Sequence, residues 1–321
     1  MGAAPAASEV RRAVRTALAA LPAASRDAPV LVACSGGADS LALAVAALAV
    51  RDEVHAAVVD HGLQDGSAQH AAATAELLTG LGAHAGVHRV QVRGPGGPEA
   101  AARAARYTAL RAARPHPDTP VLLGHTLDDQ AETVLLGLGR GSGARSIAGM
   151  RTWDEPWLRP LLGVRRATTR AACAELPVWD DPHNRDPRFT RVRLRHEVLP
   201  LLEDVLGGGV AGSLARTAAQ LREDDDALTA VAAELLSCAH TPDGLLLAPL
   251  ATTPPALRRR VLRAWLHAAA VTGLTELHLR AADSLAATGP DRTGAALPGG
   301  LELVRERGRL VLRPLQWSAG P

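Results

Sequence analysis

The stretch Pro29 to Leu43, Pro-Val-Leu-Val-Ala-Cys-Ser-Gly-Gly-Ala-Asp-Ser-Leu-Ala-Leu, constrains the fold more than any other in the chain. The apolar run through Val30, Leu31 and Val32 predicts a buried parallel strand, and an Ala/Leu-rich helix is predicted from about Ser40. Ser35-Gly36-Gly37 is then the turn between them. Glycines omit the Cβ atoms that would hold a ligand off the backbone, and the helix end supplies unpaired N–H groups with a partial positive charge. Strand, glycine turn and helix together make an anion site, best suited to phosphate. A tight turn capped by Ser or Asp would use the same glycines for structure alone.

The following segments alternate strand and helix. Strands are predicted at Val54 to Val59, Val87 to Val92 and Val121 to Gly124, with helices at Gly66 to Leu81, Pro98 to Ala113 and about Leu127 to Leu138. That alternation indicates βαβ units and a doubly wound, mostly parallel α/β sheet of Rossmann-like type. Before it, Val10, Val14, Leu18 and Leu21 recur at helical spacing with Arg11, Arg12 and Arg15 mostly opposite, so an amphipathic helix is expected beside the sheet. The topology would bring the glycine turn, Asp60-His61 and His125 to one crevice at the carboxyl ends of the strands. Asp60 could equally be a turn residue, and either histidine a packing residue.

The run Gly124-His125-Thr126-Leu127-Asp128-Asp129-Gln130-Ala131-Glu132-Thr133 gathers three acids at a helix start. Asp129 and Glu132 are three apart and project from one face. Thr126 can cap the helix and the dipole favours carboxylates in its first turn, yet capping does not need three. A cation site follows, either for Mg²⁺ or for a substrate ammonium.

These residues carry a resemblance. Ser35-Gly36-Gly37-Ala38-Asp39-Ser40 resembles the SGGxDS signature of the PP-loop ATP pyrophosphatases; the Walker A spacing and its lysine are absent. The run from Gly124 to Met150, including Arg140-Gly141-Ser142-Gly143, closely resembles the tRNA(Ile)-lysidine synthetase family within that superfamily. So do Asp60-His61-Gly62-Leu63, Ala102-Arg103-Ala104-Ala105-Arg106-Tyr107 and Asp180-Asp181-Pro182-His183-Asn184-Arg185-Asp186-Pro187-Arg188-Phe189, and the likeness covers about Val30 to Leu202. It implies ATP cut between its α and β phosphates, adenylylation of the C2 carbonyl of the wobble cytidine in CAU-anticodon tRNA(Ile), and attack by the ε-amine of free L-lysine. Asp39, Asp129 and Glu132 are the expected catalytic residues, and Asp129 and Glu132 match the positions implicated in holding lysine. Ser35, Gly36, Gly37, Ala38, Asp39, Ser40, Asp60, His61 and His125 are expected around ATP, with Asp39 also a candidate ligand of Mg²⁺. Arg140, Arg185, Arg188, Arg191, Arg193 and Arg195 are expected on tRNA phosphates, the last five forming a basic run with no balancing acid beyond Asp186.

Beyond Leu202 the texture changes. Gly207-Gly208-Gly209 reads as a hinge, which divides the chain into an ATP-binding domain, 1–206, and a smaller, mainly helical, tRNA-contacting domain, 207–321. The second domain is expected to hold a long helix from Val210 to Ser237, a helix after Pro254-Pro255 with Arg258, Arg259, Arg260 and Arg263 on a basic face, and a terminal hairpin from Leu301. It resembles the helical domain that follows the catalytic one in the same family, without the additional carboxyl-terminal domain of longer members. All 35 basic residues are arginine, suited to bidentate phosphate contact.

Composition excludes other classes. Cys34, Cys173 and Cys238 are scattered and form no C-x-x-C pair, which argues against a disulfide framework or a zinc site and fits a cytoplasmic protein. It also weighs against the first rival, a tRNA thiolase of the PP-loop type, which needs a cysteine pair or cluster ligands. The second rival is a non-catalytic RNA- or nucleotide-binding module that kept the fold; the intact acids argue against it. Leu41 to Val50 is apolar but closes at Arg51-Asp52-Glu53, too short to span a membrane. Whether the chain forms a homodimer is open at this level.

Overall fold

The structure is a computed structural model describing residues 2–315 except 63, 65, 95, 96, 142 and 289–292; the side chains of Pro98 and Arg185 are also outside it. Leu63 and Ser142 of the quoted motifs thus lie outside the described residues. The chain forms two compact units, 1–219 and 220–321.

In the first unit, α1 (Ala3–Ala19) and a short α2 (Ala23–Asp27) lead into β1 (Val30–Ala33). There follow α3 (Ala38–Leu48), β2 (Val54–Asp60), α4 (Ser67–Gly80), β3 (His84–Arg89), α5 (Pro98–Ala112), β4 (Val121–Leu123) and α6 (Leu127–Arg140). A one-turn α7 (Ala144–Ile147), the two-residue strands β5 (Trp153–Asp154) and β6 (Trp157–Leu158), and α8 (Arg166–Ala172) complete the sheet region. Strand order is β3-β2-β1-β4-β6-β5, parallel except for β5. The order reverses at β1, so a crevice opens beyond the carboxyl ends of β1 and β4.

Alternation along β1 buries both faces of the sheet. Val30 and Val32 pack with α1 and α3, whereas Leu31 and Ala33 pack with Leu110 of α5 and Trp157. The apolar α3 is sandwiched between the sheet and α1, and for this reason shows no polar face. Strand β3 sits three residues earlier than the expected Val87 to Val92. Register with β2 decides it: His55 pairs with His84 and Asp60 with Arg89, so the chain leaves the sheet once β2 ends.

After a 3₁₀ turn at Pro182–Arg185 come α9 (Thr190–Arg193), a π-helical turn at Leu194–Val198, α10 (Leu199–Val205) and α11 (Val210–Ala239). Gly207, Gly208 and Gly209 all adopt positive φ, and the Glu203 carboxylate accepts from Val210 N and Ala211 N at 3.0 Å each. The glycines therefore form a tight turn that starts α11, and the boundary between the units falls inside that helix, after residue 219 and not after residue 206.

The second unit has more strand than expected. With the end of α11 it contains α12 (Pro255–Ala268), α13 (Glu276–Thr288) and a five-stranded antiparallel sheet, in the order β7 (His240–Thr241), β8 (Gly244–Leu246), β11 (Arg309–Pro314), β10 (Leu301–Glu306), β9 (Gly294–Leu297). The expected hairpin is β10–β11, turned at Arg307 and Gly308, both with positive φ. Leu262, Leu266, Leu303 and Leu310 fill its core. Arg258 belongs to that interior and not to a phosphate-facing surface: its Nε donates to Asp283 at 2.5 Å and its Nη1 to the Thr253 carbonyl at 3.0 Å. Arg260 is likewise held, by Asp225 at 2.8 Å.

Candidate active site

The glycine turn follows β1. The Ser40 hydroxyl organises it, accepting from Ser35 N at 3.1 Å and donating to the Gly37 carbonyl at 2.9 Å. Gly36 has φ +83°, and a Cβ there would lie 2.7 Å from both His70 and Thr74, so only glycine fits. Gly37 is different: with φ −74° and its nearest neighbours at 3.7 Å or more, it has room on the crevice side that a ligand could use. The crevice of about 880 Å³ beside this turn is lined by Ser35, Gly37, Ala38, Asp39, Ser40, Asp60, His61, His125, Asp129, Arg166 and Arg195. Asp60 ends β2 and accepts from Gly62 N at 2.9 Å, which holds its pKa below the usual carboxylate range.

A charge cluster lies beside the crevice, with Asp39, Asp129, Arg166 and Arg195 on its lining. Thr126 and Asp129 make a capping box, with Asp129 Oδ2 accepting from Thr126 N at 2.8 Å. Asp129 Oδ1 turns to Arg166 Nη2 at 2.6 Å and Arg195 Nη2 at 3.4 Å. Glu132, fully buried, accepts from Arg195 Nε at 2.8 Å and Arg166 Nη1 at 3.4 Å, and Arg191 stands 3.8 Å away. Arg166 also reaches Asp39 at 3.3 Å, while the Thr169 hydroxyl bonds the other Asp39 oxygen. Asp128 accepts from Arg166 N at 2.8 Å. Asp39, Asp128, Asp129 and Glu132 are thus gathered around Arg166, Arg191 and Arg195. Burial opposes charge on both Arg166 and Asp129, yet the surrounding carboxylates raise the arginine and Arg166 lowers the aspartate. Asp39 goes the other way: burial outweighs Thr169 and Arg166 and raises its pKa.

The lining also carries two buried or half-buried histidines and Arg106. Burial pushes His125 down to about 3, so it is neutral in ordinary buffers, and it lowers His61 as well; both buried Nδ1 atoms lack a hydrogen-bond partner among the described residues. Arg106 lines the same region, and no carboxylate among the described residues pairs with it. Trp179 closes the outer side, stacked on His70 at 4.2 Å between ring centroids.

Sequence reading missed Arg166, Thr169, Trp179 and the role of Arg106. Arg166 and Thr169 belong to a seven-residue helix with two threonines and no apolar period, which left no signal. The basic run is balanced by acids, one from α6 and two from its own neighbourhood. Arg191 and Arg195 turn inward to Glu132, Arg193 pairs with Glu197 at 2.8 Å, and Arg188 with Asp186 at 2.6 Å. Arg140 is exposed at the end of α6, away from the crevice lining, and the Arg185 side chain is outside the described residues.

A reversing parallel sheet with a glycine turn at its switch point defines a nucleotide-binding domain, and residues 8–202 match the PP-loop domain family. Residues 245–311 match the TilS substrate binding domain. The chain is 57% identical over 313 residues to the tRNA(Ile)-lysidine synthase of Nocardia farcinica, covering 95% of this chain and 97% of that one. It is 54% identical over 316 residues to that of Rhodococcus erythropolis, covering 96% of each. The chain belongs to the tRNA(Ile)-lysidine synthase family, and is an ATP-dependent ligase that modifies tRNA. Its fold is also similar to that of the U34-tRNA thiolase NcsA from Methanococcus maripaludis with its 4Fe-4S cluster, with a TM-score of 0.51 and 18% identity over 67% of this chain and 79% of that one. Among the described residues no three His, Cys, Asp or Glu side chains are grouped to hold a metal, and no single helix is long and apolar enough to cross a membrane.

Proposed function

We propose that the crevice adenylylates the C2 carbonyl of the wobble cytidine of CAU-anticodon tRNA(Ile) and then admits free L-lysine. The C2 oxygen attacks the α phosphorus and pyrophosphate leaves; the lysine ε-amine then attacks C2, loses a proton, and AMP departs with the former carbonyl oxygen. Lysidine, AMP and pyrophosphate are the products. The turn Ser35–Ser40 holds the phosphates, Asp60, His61 and His125 line the nucleotide side, and Asp129 with Glu132 takes the ammonium. The protein's part is positioning and charge stabilisation.

The observation that carries the lysine assignment is the pair of carboxylates, Asp39 and Asp129, on the crevice wall, with Glu132 buried behind them. An ammonium is the cation such a wall can recognise, by charge-assisted hydrogen bonds of about 1.5 to 3 kcal/mol each. Because Arg195 already occupies Glu132, the ammonium exchanges with that guanidinium. Mg²⁺ fits the turn: this ion takes one or two carboxylates with water and phosphate oxygens, and Asp39 is the carboxylate beside the turn. When bound it would screen phosphate charge. Three free cysteines and a tRNA substrate suit the cytoplasm. Pyrophosphate release measured with and without cognate tRNA, and with and without lysine, tests the reading. Release that needs the tRNA and a product that needs lysine are expected; tRNA-independent release overturns it.

A further inference from the structure

We propose that His70 and Trp179 are positioning residues that set the peptide planes of the phosphate turn. Two of the turn's carbonyls are held from outside it. His70 Nε2 donates to the Ser35 carbonyl at 2.9 Å, and Trp179 N donates to the Gly36 carbonyl at 2.9 Å. In a planar trans peptide the C=O and the next N–H point in opposite directions. Fixing the Gly36 carbonyl on Trp179 therefore turns the Gly37 N–H the opposite way, and it has no acceptor among the described residues. The two holders are joined to each other by ring stacking at 4.2 Å and 26°.

The strap carrying Trp179 is tied down at a second point. Gln64 Nε2 donates to Asp181 Oδ1 at 3.1 Å and meets His183 Nδ1 at 2.6 Å. Held from α4 on one side and the strap on the other, the turn keeps its donors aimed without waiting for the ligand, as an anion-binding nest requires. A Cβ on Gly36 would strike the His70 ring, so the ring also fills the space under the turn.

This inference rests on the reading that the turn holds the ATP phosphates, and the test separates the two. In the full chain, without tRNA, ATP and adenosine affinities are compared by titration calorimetry for His70→Phe, His70→Gln and Gly37→Val. Phe keeps the stack and removes the donor; Gln supplies an amide donor. His70→Phe is expected to weaken ATP about tenfold and leave adenosine unchanged, with Gln recovering part of the loss. ATP affinity within about twofold of the parent in His70→Phe, while Gly37→Val loses ATP, overturns the positioning role and spares the phosphate reading. Equal loss of ATP and adenosine also overturns it, since that marks a general structural defect. Unchanged ATP affinity in Gly37→Val removes the phosphate reading and this inference together.

Discussion

Arg195 and Glu132 lie 63 residues apart in the chain, yet the guanidinium Nε stands 2.8 Å from the carboxylate of a side chain with no solvent exposure. Arg195 sits in the π-helical turn at Leu194–Val198. That wide turn lies between α9 and α10, a form of turn found frequently at functional sites.

Arg195→Gln tests what that contact does. If the guanidinium occupies the ammonium position, its removal lowers KM for lysine severalfold, while Glu132 loses a partner and the fold loses up to about 3 kcal/mol. Steady-state kinetics in lysine and a urea titration check both. A KM for lysine that rises shows Arg195 to be part of the substrate's own binding set.

The two glycines of the turn should part company. Gly36→Ala forces φ +83° on a side chain and drives a Cβ to 2.7 Å from His70 and Thr74, so a stability loss of about 1 to 2 kcal/mol or more is expected. Gly37→Val has an allowed φ and open neighbours, so it should fold normally and lose ATP affinity. Thermal unfolding paired with ATP titration distinguishes them; the reverse pattern would place the ligand on the other side of the turn.

His125 gives a pH signature. Its folded pKa is near 3 against an ordinary 6.5, so between those values the unfolded chain binds the extra proton. Stability is therefore full above about pH 6.5 and falls as the pH drops toward 3, by at most about 1.4 kcal/mol per pH unit from this group. His125→Asn should flatten the acid limb of the urea midpoint against pH. Parallel curves for variant and parent would show that burial of the imidazole is not what sets the slope.

The Ser35–Ser40 turn and the Asp129/Glu132 pair were legible because their geometry is local: six consecutive residues in one case, one helical face in the other. What escaped reading is what tertiary packing adds. Arg166 reaches Asp129 across 37 residues and Arg195 reaches Glu132 across 63, and no periodicity encodes either meeting. The short β5 and β6 lack the length that makes alternation visible, and β9, Gly-Ala-Ala-Leu, has low intrinsic strand preference. Arg106 was visible within its motif, but only the crevice shows a half-buried cation there with no carboxylate partner among the described residues.

The arginine run now divides into two pairs with separate expectations. Arg188 and Arg193 have exposed side chains that, among the described residues, pair only with their own neighbours, Asp186 and Glu197, contacts of little worth at a surface. Arg188→Gln with Arg193→Gln should weaken tRNA binding and lower the salt slope by about 0.7 to 0.9 per lost phosphate contact, with ATP affinity unchanged. An unmoved slope assigns these two to the solvated surface. Arg191 and Arg195 cannot serve as the same test, since neutralising them leaves Glu132 short of partners.

The choice of nucleophile rests on Asp129 and Glu132, whose roles the geometry separates. Asp129 spends one oxygen on the helix cap and the other on Arg166 and Arg195, so Asp129→Asn should disturb both the start of α6 and the placement of Arg166. Glu132 makes no such local bond; among the described residues its partners are all guanidiniums, and Glu132→Gln therefore alters the charge balance while leaving the cap of α6 intact. With wild-type tRNA and ATP, adenylylated tRNA and lysidine are followed separately. Glu132→Gln should accumulate the adenylylated intermediate and recover lysidine formation when lysine is in excess, while Asp129→Asn shows the same block plus a lower unfolding midpoint. Failure of both variants to form any intermediate, with no response to lysine, would assign the pair to ATP activation and remove them from the lysine pocket.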